Sequence, residues 1–118
     1  MVYYTLCSVL LCSLMSCCLC SDEVQSEEVS PDGALTATSF VKDCGAATGF
    51  NTFVSVHPKV DRYKDEAGFV LVLRGFRRLR MEWKGPRQLS IQCPGCLRKD
   101  VFRQISVRDD LDISYAGS

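Results

Sequence analysis

The chain has 118 residues, of which 47% are hydrophobic and 24% are charged, and its 14 basic and 14 acidic side chains cancel. This length allows one domain with a modest core. The zero net charge excludes a uniformly basic or acidic protein, so any electrostatic surface must arise from the order of charges along the chain.

The first twenty residues carry the pattern of a secretion signal. No charged side chain occurs between Val2 and Cys20, and an acidic, polar segment begins at Ser21. This pattern predicts a signal peptide over residues 1–20, cleaved between Cys20 and Ser21, and therefore a secreted, extracellular protein. An uncleaved signal anchor is the alternative, because about 20 apolar residues can span a bilayer.

The cysteines divide unequally between this leader and the rest of the chain. Of eight cysteines, the leader holds five, namely Cys7, Cys12, Cys17, Cys18 and Cys20. After cleavage only Cys44, Cys93 and Cys96 would remain. We expect one disulfide, from Cys44 to either Cys93 or Cys96, with an odd thiol that stays free or links a dimer. Such a disulfide would contribute about 4 kcal/mol in the chain-entropy model.

Residues 21–38 are acidic, rich in Ser and Thr, and interrupted by Pro31 and Gly33. A segment with so few large apolar side chains predicts a disordered acidic arm or a propeptide. A single β-rich domain is then expected over residues 39–118, where bulky apolar residues become frequent.

Within that domain the hydrophobic periodicity is mostly two. The alternation predicts a strand over Phe50–His57, and the continuous apolar run Phe69–Leu73 predicts a buried strand at the centre of a sheet. Further strands are predicted over 76–84, 89–92, 101–108 and 111–115, with a bend at Gly75 and Gly, Pro or Asp turns between them. This pattern indicates an all-β fold, a small antiparallel β-sandwich or partial barrel.

Basic residues concentrate in the second half of the chain. Between Arg74 and Arg108 there are ten bases and only two acids, Glu82 and Asp100. If the chain continued as one strand through Gly75, several arginines would project from one face with an aromatic ring among them. The candidate binding residues are Arg74, Phe76, Arg77, Arg78, Arg80, Lys84 and Arg87.

A stripe of this kind suits a sulfated glycan or the acidic patch of an extracellular protein. Nucleic acid is not expected, because the chain is predicted to be secreted and its aromatics are too sparse for base stacking. The alternative is a solvated strand face that the acidic arm of the same chain screens.

The chain offers little for catalysis. Cys93-Pro94-Gly95-Cys96 could form a redox-active disulfide, and the same pair with Cys44 and His57 could form a zinc site, but the spacing matches no compact zinc motif. His57 is the single histidine, and no Gly-x-Ser-x-Gly motif occurs. We therefore expect no catalytic residues, metal or cofactor.

Two short segments resemble a known family. Phe40-Val41-Lys42-Asp43-Cys44-Gly45 and Val54-Ser55-Val56-His57-Pro58 are similar to the opening of MD-2-related lipid-recognition domains. The resemblance implies a secreted β-sandwich that holds a lipid between its sheets.

These observations lead to three hypotheses for the function of the protein. The first is a secreted, non-enzymatic interaction domain that binds an acidic partner through the basic strand face. The alternatives are a lipid-binding β-sandwich and a thiol-disulfide active protein that uses the Cys93–Cys96 pair.

Overall fold

A computed structural model describes residues 20–44, 49–58, 63–96 and 98–116. These residues form two β-sheets and two short 3-10 turns, which confirms the predicted all-β fold. The strands are β1 (Ser21–Val29), β2 (Thr36–Asp43), β3 (Phe50–His57), β4 (Phe69–Arg74), β5 (Arg80–Gly85), β6 (Gln88–Gln92), β7 (Val101–Gln104), β8 (Val107–Arg108) and β9 (Leu111–Ala116).

The first sheet has the strand order β1-β2-β3-β4-β7 and is antiparallel throughout. The second has the order β5-β6-β9-β8, in which β6 and β9 run parallel. The expectation of purely antiparallel sheets is therefore wrong for this pair. The chain leaves β6, contributes β7 to the first sheet and returns as β9, a crossover of the kind that parallel pairing requires.

The main core lies between the two sheets. The first sheet contributes Ala37, Val54 and Leu73, and the second contributes Leu89 and Ile91, all of them buried. β3 is the middle strand of the first sheet and β4 is its neighbour, so the predicted central position of Phe69–Leu73 is off by one strand. Burial on both sides of β4 explains its continuous apolar sequence.

A second, aromatic cluster covers the opposite face of the first sheet. Phe40 stacks on Phe53 with ring centroids 5.0 Å apart, and Tyr63 meets Phe40 edge-on at 5.0 Å. Phe69 completes the group, 5.0 Å from Phe53. Such offset and edge contacts are the geometries that aromatic rings favour, so the first sheet is stabilised on both of its faces.

The expectation of a disordered arm over residues 21–38 is wrong. These residues form β1 and the first part of β2, and all residues from Thr36 to Val41 are buried. The prediction of disorder from composition is wrong because small hydroxyl side chains in this segment pack against polar partners within the sheet. Thr38 Oγ1 lies 3.0 Å from His57 Nε2, and Ser26 Oγ lies 2.9 Å from Ser39 Oγ.

A tight turn closes the β1–β2 hairpin. Gly33 donates its N–H to the Ser30 carbonyl at 2.9 Å and adopts a left-handed φ of 74°, which favours glycine. The Asp32 carboxylate accepts from Ser30 Oγ at 2.7 Å and from the Ala34 N–H at 3.1 Å. Pro31 and Gly33 are therefore not signs of disorder. In the structure, Pro31-Asp32-Gly33 forms the turn that such a sequence favours.

No helix among the described residues is long and apolar enough to cross a membrane.

Candidate functional site

The disulfides differ from the predicted pairing. Cys20 is bonded to Cys44, and Cys93 is bonded to Cys96, with Cα–Cα distances of 4.0 and 5.6 Å. The predicted disulfide between Cys44 and the Cys93–Cys96 pair is therefore wrong. Each of the three cysteines outside the leader has a partner, which removes the odd thiol and the basis for a dimer linked through it.

The pairing of Cys20 also bears on the predicted signal peptide. Residues 1–19 lie outside the described residues, but Cys20 joins the start of β1 to the end of β2. A cut between Cys20 and Ser21 would remove one partner of this disulfide. Disulfides in a small β domain are typical of proteins that fold in an oxidising compartment, whereas secretion itself stays a prediction.

The four residues weighed as a zinc site, Cys44, His57, Cys93 and Cys96, do not come together. Cys44 and the Cys93–Cys96 pair are held in different disulfides, and His57 is buried against Thr38 on the aromatic side of the first sheet. No group of three or more metal-binding side chains comes together in the part of the chain that the structure describes.

The basic segment does not run as one strand. The chain leaves the first sheet at Arg74, bends at Gly75 with a φ of 84°, and re-enters strand structure in the second sheet at Arg80. The bend predicted at Gly75 is confirmed. Thr52 anchors the crossing segment, residues 75–79 between β4 and β5, because its Oγ1 donates to the Gly75 carbonyl at 2.7 Å and accepts the Arg77 N–H at 2.9 Å.

Three of the predicted binding residues are engaged in ion pairs. Arg77 meets Asp100 at 3.1 Å, where both side chains are largely buried. Lys84 pairs with Glu82 at 3.2 Å and Arg87 with Asp110 at 3.4 Å, on the exposed surface. These three cations are therefore less available to a partner than sequence reasoning assumed.

Other cations of the segment have no ion-pair partner among the described residues. Arg78 and Arg80 are exposed, and Arg74 places its guanidinium 5.2 Å from the centre of the Phe102 ring. Phe76 and Phe102 are exposed by 53% and 55%, which is unusual for large apolar side chains. Exposed aromatics beside unpaired arginines are features of protein binding sites.

The fold adds cations that the sequence reasoning did not select. Arg103 lies on β7 opposite Val72, which places it on the same face of the first sheet as Arg74. Arg98 and Lys99 form the 3-10 turn before β7, and the Arg77–Asp100 ion pair ties this turn to the crossing segment. Only the pairing of β4 with β7 brings these distant residues together, so sequence spacing gave no signal.

We name this region the basic end. Its members are exposed and have no ion-pair partner within the described ranges. They are Arg74, Phe76, Arg78, Arg80, Arg98, Lys99, Phe102 and Arg103. Arg74 and Arg103 lie on the outer face of the first sheet, whereas Arg80, at the start of β5, lies on the outer face of the second.

The exposed acidic residues of β1 lie at the opposite edge of the first sheet from β7. β1 carries the exposed Glu23, Glu27 and Glu28, and it forms the edge opposite β7 in the strand order. Four strand spacings separate these edges, which is about 19 Å. That distance exceeds the Debye length of about 8 Å at physiological ionic strength. The carboxylates of β1 therefore do not screen the cations on β7.

A cavity opens between the sheets beside the basic end. The volume of this open cavity is about 270 Å³. Its lining is mostly apolar and includes Leu73, Ile91 and Val101, together with Arg98 and the two cysteines of the Cys93–Cys96 disulfide. Drug-sized ligands usually occupy 300–1,000 Å³. The cavity is therefore suited to a small molecule and too small for a lipid with several acyl chains.

Tyr115 braces the two sheets at this cavity. Its hydroxyl donates to the Ile105 carbonyl at 2.6 Å and lies 3.2 Å from the Val70 carbonyl. Burial raises the pKa of the phenol well above its usual value. Tyr115 therefore stays neutral and acts as a structural donor at neutral pH.

Comparison with protein-family models, with curated proteins and with solved structures finds no match to this chain. The resemblance to MD-2-related domains gains no support from a family match, and the function must be argued from the site.

Proposed function

We propose that the protein is a secreted interaction domain that binds an extracellular anionic partner, a sulfated glycan or an acidic protein surface, through the basic end. The observation that carries the proposal is the set of exposed arginines without ion-pair partners around Arg74 and Phe102. The net charge of zero conceals this grouping, because exposed acids such as Glu23, Glu27 and Glu28 lie on β1, at the opposite edge of the first sheet from β7.

The chemistry of these side chains favours sulfate and carboxylate groups. Guanidinium groups donate two parallel hydrogen bonds to such oxyanions, and their planar faces stack on aromatic rings. Phe102 already orients Arg74 in this way, which reduces the entropy lost when the guanidinium binds a partner.

Retention on a sulfated polysaccharide matrix tests the proposal. We expect the wild-type chain to bind at low salt and to elute as salt rises, because contacts of exposed charges are screened. The double variant Arg78→Ala with Arg80→Ala should elute at clearly lower salt.

The matched control is Lys84→Ala with Arg87→Ala, which also removes two cations. Both of these pair with acids of the chain, so the control should elute close to the wild type. Absence of wild-type retention at low salt would refute glycan binding, and binding to an acidic protein would then be the remaining form of the proposal.

A further inference from the structure

The Cys93–Cys96 disulfide occupies a position that the proposed function does not use. Pro94 and Gly95 form an exposed turn, closed by a 3.2 Å hydrogen bond from the Cys96 N–H to the Cys93 carbonyl. Both cysteines lie between β6 and the 3-10 turn, and neither is a Cα partner in the ladders of the second sheet, while the Cys93 N–H donates to the Ala116 carbonyl at 3.0 Å. Opening this disulfide therefore breaks no strand pairing.

The surroundings of this disulfide provide the elements of a binding site. Cys93 and Cys96 form part of the wall of the 270 Å³ cavity, whose other walls are mostly apolar. Arg98 lines the same cavity and has no ion-pair partner among the described residues. An apolar body would fit the cavity, and an anionic group would fit the guanidinium.

We propose that Cys93–Cys96 is a thiol-disulfide exchange site for small thiols that combine an apolar body with an anionic head. A thiolate attacks one of the two sulfurs, forms a mixed disulfide and releases the other sulfur as a thiolate. A second thiolate then attacks the sulfur of the bound small thiol and displaces the protein cysteine as a thiolate, so that two thiols are oxidised to one disulfide while Cys93–Cys96 is reduced to two thiols. The positive charge of Arg98 stabilises the departing thiolate, which speeds exchange.

The chain contains an internal control. Cys20–Cys44 joins the ends of β1 and β2, beside Asp22, Glu23 and Asp43, and does not line this cavity. Acidic neighbours repel an incoming anionic thiolate. The two disulfides thus present different environments to the same reagent in one sample, although Lys64 pairs with Asp22 at 3.4 Å near Cys20.

The test uses the full, oxidised chain and two thiols of equal charge, 3-mercaptopropionate and 8-mercaptooctanoate. Samples are quenched with an alkylating reagent at intervals, and peptide mass spectrometry measures the reduction of each disulfide separately. We expect the longer thiol to reduce Cys93–Cys96 at least about tenfold faster than the shorter one, since burying two methylenes has about that effect. Cys20–Cys44 should react with both thiols at similar rates.

The variant Arg98→Gln replaces this exposed side chain by a shorter polar one and removes its charge. It should slow exchange at Cys93–Cys96 roughly threefold, the effect of about one pKa unit in a leaving thiol, and leave Cys20–Cys44 unchanged. Equal rates at the two disulfides with the longer thiol, or the same chain-length effect at both, would overturn the proposal. Binding to a sulfated matrix does not enter this readout, so either proposal can fail alone.

Discussion

At the scale of single residues, Tyr115 shows how one polar group can join two sheets. Its hydroxyl is 2.6 Å from the Ile105 carbonyl, and its ring lies against the core. Burial raises the pKa of this phenol, so it keeps its proton at a pH at which an exposed tyrosine ionises.

The variant Tyr115→Phe should therefore lower the free energy of unfolding by about 1–3 kcal/mol, the cost of leaving a buried carbonyl without its donor. Urea denaturation followed by fluorescence measures the difference. An unchanged midpoint would show that the hydroxyl contributes nothing to stability.

Tyr115 also gives stability a pH dependence of known sign. A pKa that is raised in the folded state means that the folded chain holds this proton more tightly than the unfolded chain. Its contribution is complete below pH about 10, the pKa of an unfolded tyrosine, and is lost at higher pH. The wild type should lose more stability than Tyr115→Phe as pH rises above about 10.

At the scale of elements, β3 could be predicted from the sequence, whereas the β1–β2 hairpin could not. β3 has the predicted bounds, Phe50–His57, because its apolar and polar residues alternate and Pro58 follows. The hairpin lacks that pattern. Its small polar residues, such as Thr38 and Ser39, are buried only because the neighbouring strands cover them, which is tertiary information.

The hairpin turn should stabilise the fold in a pH-dependent way. The Ser30 hydroxyl, followed by the Ala34 N–H, lowers the pKa of Asp32 below its usual value of 3.8. This contribution is therefore present above that pH and is lost as pH falls through the lowered pKa. In Asp32→Asn, amide hydrogens of the turn should exchange faster at neutral pH, and the difference from the wild type should shrink in acid.

The Cys20–Cys44 disulfide, at the open end of the hairpin, should contribute more to the free energy of unfolding than the turn does. Cys20 and Cys44 are separated by 24 positions, and closing a loop of that size contributes about 3–4 kcal/mol in the chain-entropy model. The double variant Cys20→Ser with Cys44→Ser should lose about that much in urea denaturation. A loss below about 1 kcal/mol would mean that β1 is held by strand pairing alone.

At the scale of the whole molecule, the sequence predicted that the charges are segregated but not where they meet. Arg74, Arg78 and Arg80 were identified from their clustering along the chain. Arg98 and Arg103 were not, because they join the site only through the pairing of β4 with β7. The ion pairs of Arg77 and Arg87 were equally invisible in sequence, since their partners depend on the fold, whereas Glu82 and Lys84 are two residues apart on one face of β5.

The pairing of Cys20 also predicts how a secreted form must be processed. The mature chain should retain Cys20, because its partner Cys44 is in the folded domain. Intact mass with and without alkylation measures both the first residue and the number of free thiols. A mature chain that starts at Ser21 with one additional free thiol would contradict this expectation.

The most direct test of the basic end is the salt dependence of its affinity for one sulfated oligosaccharide of defined length. The logarithm of the dissociation constant should rise with the logarithm of salt concentration, with a slope set by the number of cations that contact the ligand. We expect a smaller slope for Arg74→Ala with Arg78→Ala and Arg80→Ala, and an unchanged slope for Lys84→Ala with Arg87→Ala. Equal slopes for the two variants would contradict binding through the basic end.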